Sequence, residues 1–473
     1  MDASTSETVA RRPDKQRPEP LGKNYYRVLT ATVVSSLGDG VDQIGYPWLA
    51  SAVTRNPLLI ALVAVAQRLP WLVFTLPAGV ITDRVDRRKA IVVMDVIRGC
   101  ITVAVAIAVL GFGSQLPKPS AIATVVGTRT GMYSILLFAS LLLGFAEVLR
   151  DNAAQTIVPS IVSKANLERA NGRQMSAEMV ANTFIGPPLG SLMIAASFFL
   201  PFAVDAVSFF FAAGLVFVIA GEFRAKQRPV SALAAAASAS GSPTAPTPSW
   251  KDDLKEGVRW LWSHPLLRPM AIILGIMNGI GAMQLSTLVL FAQEVLKTTP
   301  IEFAILTMGG AVGGILGATT APRISRRLGS GPSLWLALIA GAVLPLIIGA
   351  TSSWPVVFVV FLVMTMVGIV WNVITVSLRQ SIIPDHLLGR VNSVYRFFAW
   401  GMMPVGTALG GVVVTVVQPW KGRETALRAP WFAAAAIGAL LTVYAIPRLT
   451  TEKMDAARAA AAHDAAEERP AID

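Results

Sequence analysis

The 473-residue chain is 54% hydrophobic and only 14% charged, with a mean hydropathy of +0.59. A soluble domain carries about a quarter charged residues, which excludes an ordinary globular enzyme or binding module. The net charge of +12 would suggest nucleic acid in a soluble chain. In one this apolar it fits the excess of Lys and Arg on the inner loops of membrane proteins, and no nucleic-acid partner is expected.

Residues 1–27 lack the pattern of a removable signal peptide and read as a cytoplasmic tail. Apolar blocks then recur near 28–52, 58–81, 90–111, 132–149, 179–199 and 202–221, and again near 270–291, 303–321, 333–350, 356–378, 394–417 and 431–446. Each approaches the ~20 residues that cross a bilayer, and lipid offers backbone groups no partner, so each is expected to be helical. With residue 1 inside, 30 Lys and Arg fall in inner segments and seven in outer loops. That bias predicts a multi-pass protein of the cell membrane with both termini cytoplasmic.

The expected fold is an all-α integral membrane protein of about twelve transmembrane helices in two parallel-repeat six-helix halves. Its divisions are a tail at 1–27, a first half at 28–221, a linker at 222–265, a second half at 266–448 and a tail at 449–473. The linker carries a low-complexity Ala/Ser/Pro run at 229–249. Gln155-Thr-Ile-Val-Pro159 is echoed by Gln380-Ser-Ile-Ile-Pro384, Arg169-Ala-Asn171 by Arg390-Val-Asn392, and Gly186-Pro-Pro-Leu-Gly190 by Gly406-Thr-Ala-Leu-Gly410. Three echoes in one order indicate a parallel repeat, an architecture of secondary transporters with a site between the halves near the midplane.

The loop after the second block reads Gly79-Val-Ile-Thr-Asp83-Arg84-Val-Asp86-Arg87-Arg88-Lys89, and Gly317 to Arg327 echoes it without the acid. It resembles the signature of the major facilitator superfamily, with Asp86 where glycine is usual. The stretches at 35–50 and 94–99, with the first QTIVP and the GRVNSVYR at 389–396, resemble the enterobactin-exporter and macrolide- and multidrug-efflux group of that superfamily. Gly186, Pro187 and Gly190 stand like the end of its antiporter motif, with Ser191 and Asn182 replacing glycines. The resemblance implies alternating access, with helices one, four, seven and ten lining a cavity. The loop cations are expected to hold anionic headgroups. Asp83 is expected to latch the halves, meeting Arg87 or Arg88 or facing a helix N-terminus.

Ionisable groups inside a bilayer each cost roughly 2.5–3.5 kcal/mol on insertion scales and need a reason. Asp39 and Asp42 interrupt the first block, Arg68 the second, Asp95 and Arg98 the third, and Glu147 ends the fourth. At about 1.5 Å per residue, Arg68 matches the two aspartates in depth. Two readings follow: Arg68 neutralises an aspartate structurally, or one of Asp39 and Asp42 carries a coupling proton tuned by Arg68, with Glu147 next in line. Asp95 and Arg98 read as an i,i+3 pair at the interface. Glu147, Gln284 and Asn372 form a candidate cavity lining, with Trp371, Trp48, Trp71 and Trp400 available to stack on a flat substrate or to pack.

Cys100 is the single cysteine, and His264, His386 and His463 fall in loops or the tail, so no metal site is expected. No phosphate-cradling loop or nucleophile motif is visible, so no enzyme activity is expected. The expected function is proton-driven export, by antiport, of lipophilic or amphipathic small molecules such as drugs or a siderophore. It would be carried out by a monomer with no cofactor beyond the proton motive force. A proton-coupled nutrient symporter and a lysolipid flippase are the alternatives.

Overall fold

The computed structural model describes residues 20–163, 166–221, 223 and 250–467. The expected low-complexity linker at 229–249 lies outside the described residues. The first half comprises α1 (Lys23–Val53), α2 (Pro57–Arg84), α3 (Arg87–Gly111), α4 (Thr130–Ile161), α5 (Leu167–Met179), α6 (Gly186–Ala196) and α7 (Phe199–Phe217). A short helix α8 (Trp250–Ser263) precedes the second half. That half comprises α9 (Leu267–Ser286), α10 (Leu288–Glu294), α11 (Pro300–Leu328), α12 (Ser330–Ala350), α13 (Trp354–Ile382), α14 (Asp385–Lys421) and α15 (Arg423–Ala445). Helix α16 (Thr451–Glu467) follows, and its Thr451 hydroxyl accepts from the Gly331 N–H at 3.0 Å.

Eleven helical segments among the described residues are long and apolar enough to cross a membrane. The twelfth is α1, whose 31 residues span about 46 Å. Its polar content comes from Ser35, Ser36, Asp39, Asp42 and Gln43, the side of the helix that builds the site below. No extended strand occurs among the described residues, only an isolated bridge between Thr54 and Thr128.

Local chemistry sets the helix ends. Asn56 accepts from the Leu58 and Leu59 N–H groups and Pro57 opens α2. Thr299 and Glu302 form a reciprocal capping box at α11, with Pro300 in its first turn. Asp86, the departure from the signature, is the N-cap of α3. Its carboxylate accepts from the Lys89 N–H at 3.1 Å and the Phe223 N–H at 3.2 Å, tying the loop to the end of the first half. His264, just before α9, accepts at its Nδ1 from the Leu266 and Leu267 N–H groups. Burial pushes its imidazole below the usual pKa.

The repeat is visible in packing. A Cβ on Gly186 would lie 2.5 Å from the Gly40 Cα, so α6 and α1 touch backbone to backbone. Gly406 of α14 meets Gly279 of α9 in the same manner. Small residues permit this close approach where lipid supplies no hydrophobic drive between helices. The two copies differ by one residue. Asn171 and Gly186 are fifteen apart, whereas Asn392 and Gly406 are fourteen apart. The extra residue of the first copy is absorbed by a π-helical turn at Val180–Ile185 that joins α5 to α6. Between the halves, Trp71 of α2 stacks on Trp400 of α14 with centroids 6.4 Å apart.

Candidate transport cavity

A cavity of about 830 Å³ lies between the halves. From the first half it is lined by α1, α2, α4 and α5, with Arg98 of α3, Phe209 of α7 and Asn182 and Thr183 of the π-turn. The second half contributes α9–α11 and Met403 and Thr407 of α14. Below, the terminal face means the bundle end that holds the starts of α1 and α9 and the end of α15. The lining runs from Gln155 and Gln174 near that face to Ala50 and Phe303 near the other.

At the opposite face the halves are clasped. Arg55, between α1 and α2, donates to Gln293 at 2.5 Å and pairs with Glu294 of α10. Arg423 at the start of α15 donates to both Glu294 oxygens at 2.9 and 3.0 Å and to the Arg55 carbonyl at 2.7 Å. Gln293 also donates to Ser51 at 3.0 Å, and the Trp48 ring meets that of Phe303 edge-on. One carboxylate thus holds two guanidiniums from opposite halves, the arrangement in which charged hydrogen bonds are strongest.

An ionic chain crosses the first-half wall. Arg98 donates to Asp39 at 2.5 Å and to Ser35 at 3.4 Å, lies 3.8 Å from Asp95, and stacks 4.0 Å over the Phe209 ring. Arg150 lies 3.4 Å from Asp95 and 3.2 Å from Asp151. Asp42 meets Asp205 of α7, and Gly38 leaves room on α1 for the Asp205 carboxyl and the Ser208 hydroxyl. One oxygen of Asp42 and one of Asp205 are buried without a hydrogen-bond partner. The lining carries five acids, Asp39, Asp42, Glu147, Asp151 and Glu178, against three cations, Arg68, Arg98 and Arg150, so the wall is net acidic.

This corrects the expected pairing. Arg68 lines the cavity, but the cation on Asp39 is Arg98. Depth along a helix does not say which neighbour stands beside it: α2 packs along α4 and α14 and touches α1 only briefly, while α3 packs beside α4 and α7. Asp95 and Arg98 do approach one another as an i,i+3 pair, and both are buried in the wall.

Glu147 lines the cavity as expected, whereas Gln284, Trp371 and Asn372 do not. Gln284 and Trp371 are buried in packing, and Asn372 is exposed on another face of α13. The second half presents hydroxyls instead, from Ser286, Thr307 and Thr407. Trp48 and Trp371 are fully packed.

In the signature loop, the side chains of Gly79, Asp83 and Arg84 lie outside the described residues, so the expected latch through Asp83 falls there. Arg87 donates to the Thr156 carbonyl at 3.0 Å and to Ser160 at 3.2 Å, and Arg88 to the Ile219 carbonyl at 2.5 Å. Both therefore bind ends of neighbouring helices within their own half. Gly186, Pro187 and Gly190 are buried against α1, and Asn182 in the π-turn accepts from Gln43 at 2.6 Å.

Asp205, Arg150, Asp151 and Glu178 were not anticipated. Asp205 is a lone acid within Phe202 to Phe211, a signal that an intramembrane charge always carries. Arg150 and Asp151 fall just past the expected 132–149 block, but α4 runs on to Ile161, three turns beyond that end.

Two helical halves around a central polar cavity, sealed at one face, define a membrane transporter. The family described as transmembrane secretion effectors matches residues 18–470. The chain is 26% identical over 390 residues to the multidrug efflux pump Tap of Mycolicibacterium fortuitum, covering 81% of this chain and 87% of that protein. It is 22% identical over 397 residues to the enterobactin exporter EntS of Shigella boydii serotype 4, covering 84% and 86%. Its fold is similar to the crystal structure of a bacterial homologue of the iron transporter ferroportin in an inward-facing state. That TM-score is 0.64 at 16% identity, covering 91% of this chain and all of the other. The chain belongs to the transmembrane secretion effectors of the major facilitator superfamily and is a multi-pass transporter of small molecules, not an enzyme.

Proposed function

We propose that the chain is a proton-coupled exporter of lipophilic or amphipathic compounds, residing in the cell membrane with its terminal face cytoplasmic. The observation that carries this reading is the cavity wall: apolar surface from Ile60, Val63, Leu143, Phe209 and Met403 interleaved with more acids than cations. Such a wall suits amphiphiles that are cationic or neutral and disfavours anions. The relatives named as a multidrug pump and a siderophore exporter support export. Hydroxyls and apolar groups alone on the second-half side disfavour a sugar-type symporter. With the terminal face inside, the clasped face is external and the cavity is reached from the cytoplasm.

Coupling is proposed for Asp42 with Asp205. Arg98 is committed to Asp39, so this second carboxyl pair is left without a cation of its own. An acid in that position suits proton loading in one orientation and release in the other. Neutral Asn at Asp42 abolishes uphill export while leaving substrate binding measurable. The test is substrate-driven proton movement in proteoliposomes, repeated with the gradient collapsed, alongside a toxic-compound screen in cells lacking their own pumps. Full coupled export by the Asp42→Asn and Asp205→Asn proteins would place the coupling acid elsewhere, with Asp39 and Glu147 next.

A further inference from the structure

A second, shallower groove of about 540 Å³ lies on the other side of α5. It is lined by Val33 of α1, by Gly172, Arg173, Ser176 and Ala177 of α5, and by the π-turn residues Val180, Ala181 and Ile185. The cavity takes Gln174, Met175, Glu178 and Met179 from the same helix, the opposite face at 3.6 residues per turn. The groove therefore faces away from the transport path. From Arg173 to Ile185 it is about 18 Å long, and its walls are almost wholly apolar. At its terminal-face end Arg173 donates to the Tyr26 hydroxyl at 3.2 Å, and both residues are exposed. One turn nearer the face, Arg169 stands on the same side of the helix, with a buried Nη1 that has no hydrogen-bond partner. No described carboxylate lines the groove.

The other half shows what such a place accepts. By the repeat, Arg169 corresponds to Arg390 and Ala177 to Phe398. There the amphipathic α8 lies across α14. Its Glu256 pairs with Arg390 at 2.5 Å, and its Trp262 stacks on Phe398 with centroids 6.1 Å apart. An acid over the arginine and an apolar body along the helix fill the second copy, and the first copy offers the same two features without an occupant from the described residues.

We propose that this groove binds one anionic phospholipid of the terminal-face leaflet, with its phosphate between Arg169 and Arg173 and an acyl chain along Ala177, Val180 and Ile185. A phosphate replaces the Glu256 carboxylate, and the chain replaces Trp262. Tyr26 sits at headgroup depth, where aromatic residues collect. The lipid would brace α1 against α5 beside the π-turn, on the wall that the cavity shares.

The test is native mass spectrometry of the purified full-length protein titrated with phosphatidylglycerol or phosphatidylcholine, scored against thermal stabilisation. The wild type retains one phosphatidylglycerol in preference to phosphatidylcholine. Arg173→Gln, an exposed change that leaves packing intact, reduces that preference about five- to tenfold, the scale of one cation near an anionic headgroup. Ala177→Trp fills the groove and loses the retained lipid. Inorganic phosphate gives no stabilisation. Equal retention of both lipids, an unchanged preference in Arg173→Gln, or retention that emerges only when residues 1–19 are removed would overturn the proposal, the last by making the N-terminal segment the occupant. None of these readouts depends on transport.

Discussion

Replacing Glu294 with alanine removes the one carboxylate that joins Arg55 and Arg423 across the clasped face. The three side chains are between 13% and 28% exposed, so the network lies between a surface and a buried one. Exposed pairs contribute about 0–1 kcal/mol and breaking a buried one costs about 3–5 kcal/mol. An intermediate cost of about 2 kcal/mol moves the balance between closed and open by roughly thirtyfold. Spin labels on cysteines at Val126 and Trp420, exposed on that face in opposite halves, report it by pulsed dipolar spectroscopy once Cys100 is replaced by serine. The distance distribution of the Glu294→Ala protein broadens toward longer values. An unchanged distribution at full expression refutes the view that this cluster holds the halves together. The same labels test the pH response. Burial pushes the Glu294 carboxyl up, but hydrogen bonds from Arg423 and the charge of Arg55 more than reverse this and leave it below the usual range. Its contribution is therefore complete above the ordinary carboxylate pKa of about 4.3 and is lost only as pH falls through the depressed value. The wild-type distances stay constant from about pH 8 to 5.

Arg98→Ala leaves Asp39 and Asp95 facing one another without their shared cation, and should cost about 3–5 kcal/mol, read as loss of folded protein in detergent. Arg68→Ala should leave thermal unfolding within about 0.5 kcal/mol, since that side chain is exposed in the cavity. Gly313→Val should be destabilising by about 1–3 kcal/mol, because any Cβ there overlaps the Leu362 carbonyl of α13. Gly341→Ala, with open space around it, should melt like the wild type.

Much of the fold was legible because a bilayer forces it. Lipid demands a closed helix for every apolar block, and length, charge bias and echoed motifs then follow from counting. The site was legible only along the helix axis. Asp39, Asp42 and Glu147 were recognised as acids with a cost, and all three line the cavity. Which cation answers Asp39 depends on how helices are arranged around the axis, and hydropathy carries no such angle. Depth alone matched Arg68 to the aspartates and left Arg98 to Asp95. Gln284, Asn372 and Trp371 sit on cavity-lining helices of the superfamily, yet one residue's rotation decides between lining and packing. Asp205 was missed although a lone acid within ten residues of a span was plain to see.

The π-turn in the fifth span has a consequence for how alike the two halves can be. Its wider i→i+5 spacing takes up the added residue, so copies of unequal length keep the same close glycine contacts, Gly186 to α1 and Gly406 to α9. The likeness stops at the lining. Gln174 and Glu178 of α5 meet the cavity, while their counterparts in α14, Tyr395 and Ala399, do not, and the Tyr395 hydroxyl is spent on the Leu267 carbonyl at 2.6 Å. Two halves that pack alike therefore offer a passenger unlike walls, and a symmetric rocking motion presents a different chemistry on each side.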